Sequence, residues 1–100
     1  MARLRGKIRA SRAVVVSLRA LHPEIKRKLR AAVSDLLDGR TGGKPLREGL
    51  AGYHSLRVGR FRAIYRVEPS GVVEIVMFGP RSTIYRETLR ALSERDETDR

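Results

Sequence analysis

Three arginines and one tyrosine occupy positions from which they could reach a single phosphate group. Strand alternation and a tight turn place Arg57 and Arg62 on one face of two neighbouring predicted strands. Arg81 follows the end of the last predicted strand, and Tyr85 comes four residues later. Because a sheet in sequential strand order brings all four side chains towards one concave surface, the sequence predicts a cluster that can hold one phosphate group.

The composition also predicts an anionic partner. The chain has 100 residues, with 22 Lys and Arg against 11 Asp and Glu and a formal net charge of +11. Arginine dominates the basic residues, and its planar guanidinium binds phosphate in a bidentate manner and stacks on bases. RNA is therefore the favoured partner, and a merely solvated basic surface is the alternative.

Several classes of site and location are disfavoured by what the sequence lacks. It has no Cys, and His22 and His54 are its two imidazoles, so we expect no disulfide, no metal site and no cofactor. The segment Gly42-Gly43-Lys44 lacks the spacing and the Ser/Thr of a Walker motif. Residues 1–20 contain no continuous apolar stretch of signal-peptide or membrane-spanning length, which predicts a cytoplasmic protein without a membrane partner.

The chain length predicts one domain, over residues 1–92, followed by a charged and flexible tail over 93–100. Residues 5–10 alternate as an edge strand does, and Ser11 is a suitable helix N-cap. Residues 13–21 fit either element, because their valines favour a strand while the spacing of their apolar residues fits one helical face.

The rest of the chain has a clearer pattern. A helix is predicted from His22-Pro23 to near Gly39, followed by a glycine-rich loop over 39–52. The next segments read as an antiparallel meander and a short helix, over residues 53–58, 60–68, 72–78 and 83–92. In the middle strand, one face is apolar, and the other is predicted to be wet and almost wholly arginine, with Arg60, Arg62, Ile64 and Arg66.

Three segments together resemble a known family. Residues 52–65, GYHSLRVGRFRAIY, are similar to the "LRVG-x-[YF]-R-x-x-Y" signature of RelE/ParE toxins from bacterial toxin–antitoxin pairs. Residues 79–85, GPRSTIY, resemble the closing "G-x-R" and tyrosine of that family, and residues 21–25, LHPEI, resemble the turn into its second helix. The resemblance covers roughly residues 5–90 and is specific in the order and spacing of its parts.

The resemblance implies an α+β fold of β-α-α-β-β-β order, often with a terminal helix, in which helices pack on one face of the sheet. It also implies that the ambiguous valine segment at 13–21 is a helix. The RelE branch of the family cleaves messenger RNA in the ribosomal decoding site, whereas the ParE branch poisons DNA gyrase. Two functions thus share one fold.

The resemblance to RelE-type nucleases also assigns site residues. Their basic side chains on the second and third strands, the arginine after the fourth strand and the later tyrosine correspond to Arg57, Arg62, Arg81 and Tyr85. A further lysine of the enzyme's second strand has no counterpart, since the nearby positions are His54 and Ser55. This departure leaves the general base unassigned.

The expected chemistry is metal-independent attack of an RNA 2′-OH on the adjacent phosphorus. We expect Arg62 and Arg81 to hold the phosphate and Arg57 to act as a base or as electrostatic support. Tyr85 either stacks on a base or accepts the 2′-OH proton. His54 is a candidate acid/base, and four further cations are predicted RNA contacts, namely Lys44, Arg47, Arg60 and Arg66.

The leading hypothesis is a type II toxin that acts as a ribosome-dependent mRNA endonuclease, with mRNA and ribosomal RNA as its nucleic-acid partners. The alternatives are a gyrase-binding toxin without nuclease activity and a non-catalytic RNA-binding module. The resemblance also implies a cognate antitoxin protein, through whose complex the toxin would meet operon DNA. An acidic or amphipathic antitoxin segment would suit the basic surface.

Overall fold

The first strand ends at Ala10, as the sequence predicts, and a helix begins directly after the predicted N-cap Ser11. In the computed structural model, which describes residues 8–98 and the side chains of residues 8–93, β1 spans Ile8–Ala10 and α1 spans Arg12–Arg19. The Ser11 hydroxyl caps α1 by accepting a hydrogen bond from Val14 N at 3.3 Å. The valine segment is therefore helical, while the predicted start of the strand at residues 5–7 lies outside the described residues.

The second helix, α2, spans Pro23–Leu37. His22 is its N-cap, since the imidazole Nδ1 accepts a hydrogen bond from Glu24 N at 3.2 Å. Pro23 is well placed as the first helical residue because it has no N–H to leave unpaired there. Leu29 and Leu36 are the buried residues of its apolar side.

The second half of the chain forms the rest of the sheet and a last helix, with two short elements inside the predicted glycine-rich loop. The elements are β2 (Lys44–Pro45), a 3₁₀ turn (Glu48–Leu50), β3 (His54–Val58), β4 (Phe61–Val67), β5 (Val73–Pro80) and α3 (Ile84–Thr98). The helix α3 passes the predicted end at Leu92, because the Glu and Arg residues that follow are good helix formers. Among the described residues, no helix is long and apolar enough to cross a membrane.

The five strands form one sheet in the order β1-β5-β4-β3-β2. β1 pairs in parallel with β5, and the other neighbouring strands are antiparallel. Gly59 and Gly71 carry the tight turns on either side of β4 with φ of 61° and 89°, values that glycine adopts without steric cost. The α+β class and the predicted element order, with its terminal helix, are confirmed.

The helices α1 and α2 pack on one face of the sheet, which we call the core face. Nine buried residues form its cluster, namely Val14, Leu29, Leu36, Leu56, Val58, Ala63, Tyr65, Val73 and Ile75. The Tyr65 hydroxyl accepts a hydrogen bond from Gly43 N at 2.9 Å. Burial raises the pKa of Tyr65 more than this bond lowers it, so the phenol stays neutral and holds the 39–43 loop against the sheet.

The opposite face, which we call the arginine face, is not as wet as the sequence predicts. Ile64 and Ile84 are fully buried, and the Ser55 side chain is also buried there. The start of α3 crosses this face so closely that a Cβ on Gly79 would lie 3.3 Å from Ile84 Cδ1. The prediction of a water-exposed face was therefore wrong at Ile64, because α3 lies on the side opposite to α1 and α2.

An ion-pair network joins three strands at the far end of the arginine face. Glu74 on β5 lies between Arg9 on β1 and Arg66 on β4 in the strand register. Arg66 Nε donates to Glu74 Oε1 at 2.7 Å, and Arg9 reaches Glu74 Oε2 at 3.1 Å and also pairs with Glu68. Burial alone would raise the pKa of Glu74, but the hydrogen bonds and charges of Arg66 and Arg9 outweigh it and lower the pKa.

Glu74→Gln should make the fold less stable at neutral pH by about 1 kcal/mol, a modest effect because both arginines remain partly in solvent. Because the pKa of Glu74 is lower in the folded than in the unfolded protein, its ion pairs stabilise the fold at pH values above its ordinary pKa near 4.5. This stabilisation is lost as the pH falls through the pKa of Glu74 in the folded protein. The difference between wild type and variant should thus shrink below pH 4.5 in urea titrations at several pH values. Glu24→Gln, which removes an equal charge from the exposed pair with Arg27, should cost far less. Equal losses for the two variants would contradict the network.

Candidate nucleic-acid interface

Arg57 and Arg62 face each other directly across two antiparallel strands. The β3–β4 register pairs Arg57 with Arg62, and Leu56 with Ala63 on the core face. The Cβ atoms of such opposed residues are about 5 Å apart, so the two guanidinium groups leave the same small patch of the arginine face. The buried Leu56 and Ala63 fix this register, because a slip by one residue would expose them.

Arg60 and Arg81 complete the cluster from two other positions. Arg60 lies in the turn between β3 and β4, and its carbonyl accepts a hydrogen bond from Arg81 N at 3.4 Å. This bond places Arg81, which follows the end of β5, beside the turn. A pocket of about 270 Å³ results, lined by Arg57, Gly59, Arg60, Arg62 and Arg81, and we call it the arginine pocket.

No arginine of the arginine pocket has an ion pair within 4 Å in the described part of the chain. Arg9, Arg27, Arg40 and Arg66 each lie within 4 Å of a carboxylate elsewhere on the surface. The described residues provide no such ion pair to any arginine of the pocket, although the Glu87 carboxylate of α3 approaches the neighbouring Gly79. Opposed like charges destabilise a sheet, and a bound anion would relieve that repulsion.

Tyr85 lies next to the arginine pocket and does not line it. It belongs to the first turn of α3, and its hydroxyl is 3.2 Å from the Ser55 hydroxyl, within hydrogen-bond distance. Ser55 shares the arginine face with Arg57, two residues further along β3. The structure therefore brings all four predicted site residues to one region, with three in the pocket and Tyr85 beside it.

His54 is not brought to the arginine pocket. It stands opposite Tyr65 in the β3–β4 register and stacks on that ring at a centroid distance of 5.3 Å, on the core face. Its Nδ1 is buried and has no hydrogen-bond partner among the described residues. The expectation that His54 serves the arginine cluster as acid or base is thus corrected, because an odd spacing from Arg57 puts it on the opposite side of β3.

The four cations predicted as general RNA contacts lie in different places. Lys44 is exposed on the edge strand β2, and Arg47 is exposed just after it. Arg66 belongs to the Glu74 network at the other end of β4. Arg60, by contrast, lines the arginine pocket, whereas the cluster predicted from the sequence consisted of Arg57, Arg62, Arg81 and Tyr85. Its position in the two-residue hairpin turn, Gly59-Arg60, was the available signal.

The order of elements is the one expected of the RelE/ParE toxin superfamily, and comparison with known proteins shows this family. A family model described as the ParE toxin of type II toxin–antitoxin systems, parDE, matches residues 9–85. The chain belongs to this family and is a toxin of the type II toxin–antitoxin class. A search of curated proteins gave no match.

Solved structures resemble most of the chain. The toxin–antitoxin complex RelBE2 from Mycobacterium tuberculosis includes a chain of 30% sequence identity, with a TM-score of 0.56 over 76% of this chain and 91% of that one. The YoeB/ParE toxin from Agrobacterium tumefaciens is 20% identical, with a TM-score of 0.65 over 76% and 99% of the two chains. The isolated E. coli RelE toxin is 18% identical, with a TM-score of 0.65 over 86% and 97%. The last two similarities support the fold.

Arg57→Thr should stabilise the free protein while weakening anion binding. The change removes the charge opposite Arg62 and keeps a residue that favours strands, so the free energy of unfolding should rise by about 0.2–1 kcal/mol in phosphate-free buffer of low salt. Added phosphate should raise the melting temperature of wild type more than that of the variant.

Arg27→Gln is the matched control, since it removes the same charge from an exposed position on α2, which packs on the other face of the sheet. It should leave the response of the melting temperature to phosphate intact. A loss of stability in Arg57→Thr, together with an undiminished phosphate response, would contradict the repulsion between the two arginines.

Proposed function

We propose that this toxin is a ribosome-dependent mRNA endonuclease whose arginine pocket holds the scissile phosphate. The observation that carries the proposal is the arginine pocket itself, in which Arg57, Arg60, Arg62 and Arg81 converge and none has an ion pair within 4 Å among the described residues. Such an arrangement costs stability and is suited to an anion on which further negative charge develops.

The proposed reaction is a transfer within the RNA chain. The 2′-oxygen attacks the adjacent phosphorus and loses its proton, while the bond to the 5′-oxygen breaks and that oxygen takes up a proton. The products are a 2′,3′-cyclic phosphate and a 5′-hydroxyl. In the transition state, charge grows on the non-bridging oxygens, and Arg62 and Arg81 would bind these oxygens from two sides of the pocket.

Arg57 and Tyr85 supply the remaining roles in this proposal. Arg57 stands opposite Arg62 and adds positive charge to the same phosphate. The Tyr85 hydroxyl is engaged with Ser55, which holds the aromatic ring beside the pocket. A ring held in this way would stack on a base splayed out next to the scissile bond, as aromatic side chains do in single-stranded RNA recognition.

A second candidate function is supported by a different observation. The matching family model is that of the ParE toxin, and the notion of gyrase poisoning comes from that branch of the superfamily. In this alternative, the arginine pocket would contact an acidic surface of gyrase without nuclease chemistry. Inhibition of DNA supercoiling by the purified toxin, with no cut mRNA, would favour it over the endonuclease.

We also propose a cognate antitoxin as the protein partner. The Mycobacterium tuberculosis RelBE2 chain was solved in a toxin–antitoxin complex, and this protein carries a net charge of +11. An acidic, amphipathic segment would be attracted to such a surface. Operon DNA would then be met through that complex.

Arg81→Ala should lower the rate of mRNA cleavage by about 10²–10³-fold, which is typical for the loss of one preorganised charge donor. Toeprinting on translating ribosomes should show cuts within the A-site codon for wild type and almost none for the variant. Arg27→Ala, which removes an arginine paired with Glu24 on α2, should cleave normally. Full toxicity and cleavage by Arg81→Ala would rule out this assignment of the pocket.

Substitutions at Tyr85 separate stacking from proton transfer. If the ring stacks on a base, Tyr85→Phe should keep most of the cleavage rate, whereas Tyr85→Ala should lose the stacking energy of about 1–3 kcal/mol, or roughly 5–150-fold. Single-turnover cleavage of ribosome-bound mRNA measures both. Ser55→Ala serves as the control, since it removes the hydroxyl partner and keeps the ring. A Tyr85→Phe variant as slow as Tyr85→Ala would show that the hydroxyl itself takes part.

A further inference from the structure

The cationic side chains of α2 point in different directions. Lys26 and Arg30 line a groove between α1 and α2, next to Leu29. The Arg27 guanidinium is 3.8 Å from the Glu24 carboxylate. Because successive residues of an α-helix are about 100° apart, Lys28 leaves the helix on the side opposite to Lys26 and Arg30.

Lys28 extends from α2 to the β3–β4 turn. Its Nζ is 3.7 Å from the point that a Cβ on Gly59 would occupy. Lys28 is exposed, and none of the ion pairs among the described residues includes it. Leu29 is buried in the core cluster and so fixes the rotation of α2 about its axis. This rotation directs Lys28 towards the β3–β4 turn. The ammonium group is thus held near the rim of the arginine pocket.

The turn lies between two cationic regions. Gly59 and Arg60 line the arginine pocket on the arginine face, while Lys28 approaches the same turn from α2, which packs on the core face. Gly59 presents no side chain between them, and its φ of 61° is one that other residues rarely adopt. A polyanionic chain that crosses this bare turn would therefore meet positive charge on both sides.

We infer that Lys28 and Arg60 form a second phosphate subsite, which binds the phosphodiester next to the scissile one in a single-stranded RNA. This inference rests on the proposed function and extends it from one phosphate to a path for the chain. It also distinguishes Lys28 from the other cationic side chains of this part of α2, Lys26, Arg27 and Arg30.

The chemistry of the turn favours RNA over an acidic protein segment. The pocket is lined by four arginines and a glycine, with no apolar side chain among them. An amphipathic peptide would bury no hydrophobic surface there, whereas a phosphodiester chain needs charge and little else.

The test compares short RNAs with one and with several phosphates. Binding is measured by fluorescence anisotropy at several salt concentrations, with a labelled nucleoside 3′-phosphate and with a labelled trinucleotide that is 2′-O-methylated against cleavage. Lys28→Gln should weaken trinucleotide binding about fivefold and reduce the log–log salt slope by about 0.7, the value for one phosphate contact on a single strand. Affinity for the nucleoside 3′-phosphate should not change, because that ligand occupies the arginine pocket alone.

Lys26→Gln is the matched control, with the same change of charge two residues away, and it should bind both RNAs as wild type does. Lys28→Arg should restore trinucleotide binding, and melting temperatures should show that every variant is folded.

Four outcomes would overturn the subsite. The subsite would be excluded if Lys28→Gln bound the trinucleotide as tightly as wild type does. It would also be excluded if Lys28→Gln and Lys26→Gln lost the same affinity. In both cases, cleavage that depends on Arg81 would still support the proposed function. If Lys28→Gln weakened the binding of a polyglutamate peptide and not that of RNA, Lys28 would be assigned to a protein partner. Failure of wild type to bind either RNA would count against the proposed function as well.

Discussion

The opposition of Arg57 and Arg62 across β3 and β4 is the constraint on which the rest of the site depends. Two like charges at this distance would separate if the strands were free to slip or splay. They are kept together because the other face of the same two strands carries Leu56 and Ala63, which are buried against the helices. Burial of such side chains is worth more than the repulsion costs, so the core sustains an arrangement that local electrostatics disfavours.

The helix α3 determines how much of the arginine face stays open. Its first turns cover Ile64, bring Tyr85 to Ser55 and press Ile84 against Gly79. The absence of a side chain at Gly79 allows this close approach, and Gly79 is also the register partner of Arg62. The same strand pair therefore presents one residue that admits the helix and one that lines the pocket, which explains how Tyr85 comes so near the arginines.

The part of the site that could be predicted from the sequence is the part that follows from alternation and a single turn. Arg57 and Arg62 share a face because Gly59-Arg60 forms a two-residue connection. Alternation also places His54 on the opposite face from Arg57, because the two residues are an odd number of positions apart on β3. The position of α3 could not be predicted in this way, since Ile64 among arginines is compatible with both a wet face and a covered one.

The distribution of carboxylates explains why unpaired positive charge is concentrated at one end of the arginine face. Glu68 and Glu74 are paired with Arg9 and Arg66 at one end of β4, about 13 Å along the strand from Arg62. Around the β3–β4 turn, the described residues offer the arginines no such partner. The arginine face is therefore nearly neutral at one end and strongly positive at the other, and an approaching polyanion is drawn to the turn. If the acidic residues were spread evenly along the arginine face, the net charge would be the same, but the positive charge would not be concentrated at the turn.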